Sequence, residues 1–382
     1  MQRRQFIALL AAAGVAPGAI FAYRQAAAAA EWQLAAQGGD GQFALSGSHG
    51  DTLRSVASGF RGHDLAQHPR RRQSVLMFAR RPGTECIEAD FVDWQPVKRF
   101  SAPPGHSFAG HGCFSRDGRR LFTSEIVNAD GQGRVGIYDA DSYQRLGEMP
   151  TGGIGPHDLA LMPDGRTLVI ANGGILTGSR TDGPAAGIDF PVAPGREKLN
   201  LDQMDSSLVY LDIDSGEITE TVRLAEPKAS IRHLDVADDG TVAVATQLQR
   251  EAMDHDRLVP LAAIHRRGEA FQPLGEPEAV IAAMNDYLGS VTISQVSRLV
   301  GVTSPRGNLA GFWHLDSGAF AGHYRLQDVC GLAVSADHER FVLSNSFGDM
   351  RELDARTLAE DTDARRRFEQ AHWDNHLITV TA

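Results

Sequence analysis

The sequence predicts an all-β chain folded as a seven-bladed β-propeller closed by its N- and C-terminal strands. Three observations predict it. From about residue 60, short apolar runs alternate with Asp-Gly, Asp-Ser-Gly and Pro-Gly turns, the pattern of strands joined by tight reversals. One unit recurs along the chain: a polar or Gly-rich entry, a His, an alternating strand, a turn, a more apolar strand, a polar exit, and a strand ending in Asp. Successive starts at His63, His111, His157, His233, Gly289, Cys330 and His376 lie 48, 46, 76, 56, 41 and 46 residues apart. A period of roughly 40 to 50 residues with about four strands per unit is that of a propeller blade.

Taken in order, the first blade opens at Gly62-His63-Asp64-Leu65. The second runs through Gly110-His111-Gly112-Cys113-Phe114, the Asp117-Gly118 turn, Leu121-Phe122-Thr123 and Val135-Gly136-Ile137-Tyr138-Asp139. The third repeats this as Pro156-His157-Asp158-Leu159, Asp164-Gly165, Leu168-Val169-Ile170-Ala171 and Leu208-Val209-Tyr210-Leu211-Asp212. The long interval here holds an insertion at about 176–205, rich in Gly, Pro and Asp and without apolar periodicity, which reads as a functional loop within one domain spanning 31–382. The fourth, fifth and sixth blades open at Arg232-His233-Leu234-Asp235, Gly289-Ser290-Val291-Thr292 and Val329-Cys330-Gly331-Leu332. Only six residues follow His376. The seventh blade is therefore expected to be completed by strands from about Trp32 to Ala57, which removes the free sheet edge.

Residues 1–30 read as a targeting segment: Arg3-Arg4-Gln5-Phe6-Ile7, an apolar stretch to about Ala22, then the small-residue tract Ala26 to Ala30. The paired arginines resemble the twin-arginine export signal of bacteria, so the mature chain is expected in the periplasm without stable membrane insertion. The chain of 382 residues carries 37 Lys and Arg against 48 Asp and Glu, a net charge of −11. Loss of Arg3, Arg4 and Arg24 with the leader leaves 34 bases against 48 acids, or −14. That balance excludes a nucleic-acid partner, because phosphate neutralisation needs a basic surface. Three cysteines, Cys86, Cys113 and Cys330, exclude a disulfide-stapled scaffold.

The stretches Arg80-Arg81-Pro82-Gly83, Gly110-His111-Gly112, Gly153-Ile154-Gly155-Pro156-His157, Ala171-Asn172-Gly173-Gly174-Ile175 and Lys198-Leu199-Asn200 carry a family resemblance. So do Ile231-Arg232-His233-Leu234, Thr303-Ser304-Pro305-Arg306-Gly307, Asp328-Val329-Cys330-Gly331 and Trp373-Asp374-Asn375-His376. Together they resemble the uncharacterised bacterial family known as domain of unknown function 1513, which looks like an exported seven-bladed propeller. The resemblance spans nearly the whole mature chain and carries no catalytic residues with it. Members are often encoded beside imelysin-type periplasmic iron-uptake proteins and a di-haem oxidoreductase, which implies iron handling by association.

The innermost strand of a propeller blade lines the central channel. His63, His111, His157, His233, Cys330 and His376 all stand at its entry and are the candidate metal ligands, since imidazole and thiolate suit Fe, Cu or Zn. Nothing in strand propensity demands His there. A seven-bladed channel is wide, so two or three adjacent ligands or a larger bound complex are expected rather than a six-ligand centre. Cys113 reads as a small buried hydrophobe, while His265 and His314 in third-strand positions and His68, His255, His323 and His338 near turns read as structural or solvated. A second ring stands at the ends of the second strands, Arg80, Glu125, Asn172, Gln247, Ser304, Arg306 and Ser346, with Arg196 and Arg232 as further candidate contacts near the rim. Its arginines, with Arg81, suit bidentate carboxylate or phosphate recognition, the alternative being pairing with Asp158 or Asp235. Glu125 is the one acid of that ring and a candidate ligand or general base.

Three functions remain open on these residues. One is a monomeric periplasmic protein that binds iron or copper, with zinc as a further candidate, or a metal complex in iron acquisition. A second is a propeller enzyme, a reductase or hydrolase, using the same polar channel. A third is a non-enzymatic docking scaffold. No oxygen-rich Ca²⁺ cage and no G-x-S-x-G elbow supports a lactonase or a serine hydrolase.

Overall fold

The computed structural model describes residues 30–39, 42–81, 83–178 and 197–382. Seven four-stranded antiparallel sheets make up the propeller. Their innermost strands are Gly62–Gln67, His106–Phe114, Pro156–Leu161, Ala229–Val236, Ser290–Ser294, Val329–Val334 and Trp373–Val380, for blades 1 to 7 in turn. Each packs beside the next, and Trp373–Val380 returns to Gly62–Gln67, so the ring is closed.

Closure uses both ends of the chain, as the short C-terminal remainder requires. In blade 7, Trp373–Val380 pairs with Trp32–Gly39, followed outward by Gln42–His49 and Thr52–Ala57. Trp32 stands opposite Val380 and Leu34 opposite Ile378. A four-stranded sheet built from two distant segments leaves no unpaired edge where the chain begins and ends its propeller.

Burial explains the strand order within a blade. Second strands such as Ser74–Ala79, Thr167–Asn172 and Leu299–Ser304 are buried at every position, because blades cover both of their faces. Outer strands such as Gln95–Ser101 are largely exposed and polar. Apolar side chains fill the wedges between blades, for example Phe78, Phe108 and Tyr138 between blades 1 and 2. Full burial of one such ring contributes roughly 1.5–3 kcal/mol. Residues 1–29 of the expected leader lie outside the described residues, as do residues 179–196 of the expected insertion. The flanks of that insertion, Thr177–Gly178 and Glu197–Lys198, pair as a two-stranded ribbon.

Candidate metal centre

The inner strands do not pair regularly with their neighbours, and the irregularity falls at one repeat position. Register breaks occur between Gly62 and Leu65, Phe108 and Gly112, Pro156 and Leu159, Ile231 and His233, and Val329 and Gly331. In blade 7 the break opposite Ala35 to Gln37 takes in the segment that holds His376. Every His or Cys start thus sits in or at the edge of a bulge. Blade 5, which offers neither residue, pairs without a break from Ser290 to Ser294. A bulge re-aims a side chain and bends the strand, and in the five histidine-bearing blades it turns the entry ring toward the axis.

The result is a packed histidine cluster. Nine of the ten pairs among His63, His111, His157, His233 and His376 have ring centroids 4.5–6.2 Å apart. All five rings are buried. The channel is therefore narrower at this level than its blade number suggests, and the groups that could hold one ion are of three residues each, in line with the expectation of two or three adjacent ligands. Local sequence makes room for it: Gly110 has φ +111°, and a side chain there would meet the His63 ring at 2.6 Å. Three groups can each offer ligand atoms within 4.8 Å of one another: His63 with His111 and His157, His111 with His233 and His376, and His111 with Asp64 and Asp158.

Hydrogen bonding leaves this cluster unsatisfied. His63 Nε2 and His157 Nε2 are 3.4 Å apart and His111 Nδ1 meets two carboxylates, but six of the ten ring nitrogens are buried with neither a hydrogen-bond nor an ion-pair partner among the described residues. Buried polar groups are ordinarily paired. Desolvation, reinforced by neighbouring cations, holds His63, His157 and His233 well below the usual histidine range. Burial and His111 likewise bring His376 down to about 4. His111 differs. Burial opposes its charge, but Asp158 and Asp64, each 3.2 Å from its Nδ1, outweigh that and raise it to about 10. Four neutral imidazoles thus surround one imidazolium.

Asp64 and Asp158 were not singled out as site residues from the sequence, although a signal existed: His-Asp stands at two blade starts, His63-Asp64 and His157-Asp158. Asp158 pairs with no arginine among the described residues. It accepts a hydrogen bond from the Leu234 amide of the next blade, and Asp235 does the same for the Ile293 amide. Burial raises Asp235 to about 6.

The remaining candidates separate. Cys330 occupies the bulge position, yet its Sγ lies 3.4–3.7 Å from the carbonyl oxygens of Trp373, Asp374 and Ser344, and burial pushes the thiol up. It joins none of the three groups, because its side chain follows the backbone of blade 7 instead of the axis. Glu125 is fully buried and committed elsewhere, accepting from Thr123, Tyr138 and Arg145. Asn172 is buried and donates to the Thr151 carbonyl. Arg196 lies outside the described residues. Arg306 stacks over the Tyr287 ring at 4.5 Å. Arg80 and Arg232 border a cavity of about 110 Å³ whose other lining includes His63, His157, His233 and Arg81. Arg80 donates to Asp374, and burial lowers Arg232 to about 10. A wider cavity of about 470 Å³ lies at the opposite ends of the inner strands, between Gln67, Asp235, Thr292 and Thr379.

No curated protein matches this chain. Among solved structures, Kuenenia stuttgartiensis hydrazine synthase is similar with a TM-score of 0.44 and 15% identity, covering 82% of this chain and 70% of that one. A family model matches residues 56–380, from the last strand before blade 1 to the closing strand of blade 7, and so the chain belongs to the family described as "Protein of unknown function (DUF1513)".

Proposed function

We propose that this propeller binds a transition-metal ion at its axis through His63, His111, His157, His233 and His376. One observation carries the reading: five buried imidazoles converge there with six ring nitrogens that have neither a hydrogen-bond nor an ion-pair partner among the described residues, an arrangement that hydrogen bonding leaves costly and metal coordination satisfies. Neutral imidazole is the ligating form, and four of the five rings are held in it. An all-nitrogen set with carboxylates behind one ligand suits copper, iron or zinc. Copper gains from the general order of divalent affinities, and iron from the company the family keeps. The carboxylates of Asp64 and Asp158 orient His111 from behind, as outer partners of metal-bound histidines do. We place this activity in the periplasm, to which the twin-arginine-like leader points, with metal delivery or storage in iron acquisition as its use.

The test is elemental analysis of full-length protein recovered from the periplasmic fraction, followed by titration of chelated protein with Cu²⁺, Fe²⁺ and Zn²⁺. One equivalent of metal is expected in the wild type. The double variant His157→Ala/His376→Ala removes a member of both all-histidine groups and is expected to lose it. The double variant His265→Ala/His314→Ala is expected to keep it. Wild-type protein that carries no metal and takes up none overturns the reading.

A further inference from the structure

We propose that the cavity above the histidines is a binding site for one small oxyanion, held by the guanidinium of Arg232 beside the metal. The metal half of this statement rests on the function proposed above; the anion half does not. Arg232 is 6% exposed, its Nε has no hydrogen-bond partner, and it forms no ion pair with any described residue. A buried and unpaired cation is expensive, and proteins tolerate one where something else completes it. Its position is also built: a side chain at Gly173 would come within 3.1 Å of the guanidinium.

Charge accounting around the cavity points the same way. Arg80 is balanced by Asp374, but that carboxylate also serves Arg61. Asp64 and Asp158 face His111 instead. A divalent ion entering among neutral imidazoles would add charge beside Arg232, and among the described residues no further carboxylate lines the cavity to compensate either. An oxyanion in the cavity compensates both, because guanidinium presents a fork of donors to a carboxylate or phosphate edge. Every one of the nine lining residues carries a polar side chain, and Tyr287, Gln247 and Asn375 add neutral polar groups to the cations. Such a lining excludes an apolar ligand. A volume of about 110 Å³ matches the space of about four waters, which is the size of oxalate or phosphate and too small for a nucleotide.

The experiment titrates chelated full-length protein with oxalate and, separately, with phosphate, by calorimetry at constant ionic strength against chloride. One site per chain is expected, with the tighter of the two ions identifying the headgroup. Arg232→Met is expected to weaken it at least tenfold, with Arg232→Lys intermediate because charge remains and the fork is lost. Without anion, Arg232→Met is expected to melt no lower than wild type, since it removes a buried charge that has no partner; a purely structural arginine would give the opposite. Equal binding of chloride, no binding of either oxyanion, or unchanged affinity in Arg232→Met overturns the proposal even where metal is retained. Repeating the titration with His111→Ala/His376→Ala separates the two ideas. Oxyanion binding that persists in this metal-poor variant upholds the anion site by itself, and tighter binding in metal-loaded wild type places the ion beside the metal.

Discussion

The Nε2 atoms of His63 and His157 lie 3.4 Å apart although 94 residues separate them in the chain. Two nitrogens bound to one tetrahedral ion at about 2.0–2.1 Å stand about 3.3–3.4 Å apart, so this spacing is already that of a shared ligand pair. In the metal-free state the same two atoms can share a single proton between two neutral rings, and the remaining nitrogens of the cluster stay without partners. The fold, by a bulge in each contributing strand, has brought the rings to a spacing that the proposed ion would need.

The first prediction concerns the glycine that makes this approach possible. Gly110 combines φ +111° with a closest approach of 2.6 Å to the His63 ring, whereas Gly50 has φ +53° and open space around it. Both Ala substitutions incur backbone strain of about 1 kcal/mol. Only Gly110→Ala must also displace the His63 ring. It is therefore expected to lower metal affinity at least tenfold while Gly50→Ala leaves it unchanged, read by metal titration of both proteins. Equal affinities would show that His63 is free to move aside and is not a ligand.

A second prediction concerns ring closure. Asp374, buried on the closing strand, accepts from Arg61 at 2.8 Å and from Arg80 at 2.7 Å, both in blade 1. The two arginines hold its carboxyl below the usual aspartate range although burial acts against this. Breaking a buried pair costs about 3–5 kcal/mol, but Arg61 is half exposed and recovers water. Asp374→Ala is thus expected to cost about 2–3 kcal/mol and Arg61→Ala under 1 kcal/mol, measured by urea denaturation. A cost for Asp374→Ala no larger than that for Arg61→Ala would mean that the closing strand is held by its backbone ladder alone.

What the sequence made legible follows from what repeats. A His at one position of five blades stands out because no strand preference calls for it, and the spacing alone gives the blade count and the closing role of Trp373–Val380. The bulges were not legible, because register belongs to two strands together. This is also why Cys330 was placed with the histidines: its residue type and position fit, while its direction is set by carbonyls of Trp373 and Asp374, more than 40 residues on. Asp64 and Asp158 were visible but ordinary, since aspartate is also the commonest residue of the turns in this chain's pattern.

Glu125 supplies the third prediction and the clearest correction. From the sequence it stood as the one acid of the second ring, available as ligand or base. Its carboxylate instead lies among Thr123, Tyr138 and Arg145, with Arg145 at 2.8 Å and Tyr138 at 2.7 Å. Partners 13 and 20 residues away, on the next two strands, cannot be read from spacing. Glu125→Ala is expected to destabilise by about 2–3 kcal/mol, since it breaks a buried pair, removes the acceptor of Thr123 and Tyr138, and leaves Arg145 with Glu148 as its remaining carboxylate. Metal content per folded chain is expected to stay at the wild-type value. Loss of metal with stability intact would restore Glu125 to the site.

The last prediction is a pH dependence that lies away from the cluster. His265 is fully buried, with Nδ1 2.6 Å from the Tyr210 hydroxyl and Nε2 3.0 Å from the Glu269 carbonyl. A neutral ring satisfies both contacts: Nε2–H donates to the carbonyl, and Nδ1 accepts from the tyrosine. Burial lowers its pKa below the ordinary 6.5, more strongly than Glu220 and Glu269 raise it. The unfolded chain therefore takes up a proton first as pH falls. Stability contributed by the neutral ring is present above about 6.5 and is lost below it, at a limiting slope of about 1.4 kcal/mol per pH unit until the folded pKa is reached. His265→Gln keeps a polar side chain and cannot titrate. The stability advantage of wild type over this variant is expected to shrink between pH 7.5 and pH 5.0 in urea denaturation, and the difference cancels the contribution of the axial histidines, which both proteins share. In the Tyr210→Phe background Nδ1 loses its donor and is free to take a proton, so the same comparison is expected to show a smaller change. An advantage that stays constant from pH 7.5 to 5.0 would mean that the buried ring titrates as it does in the unfolded chain.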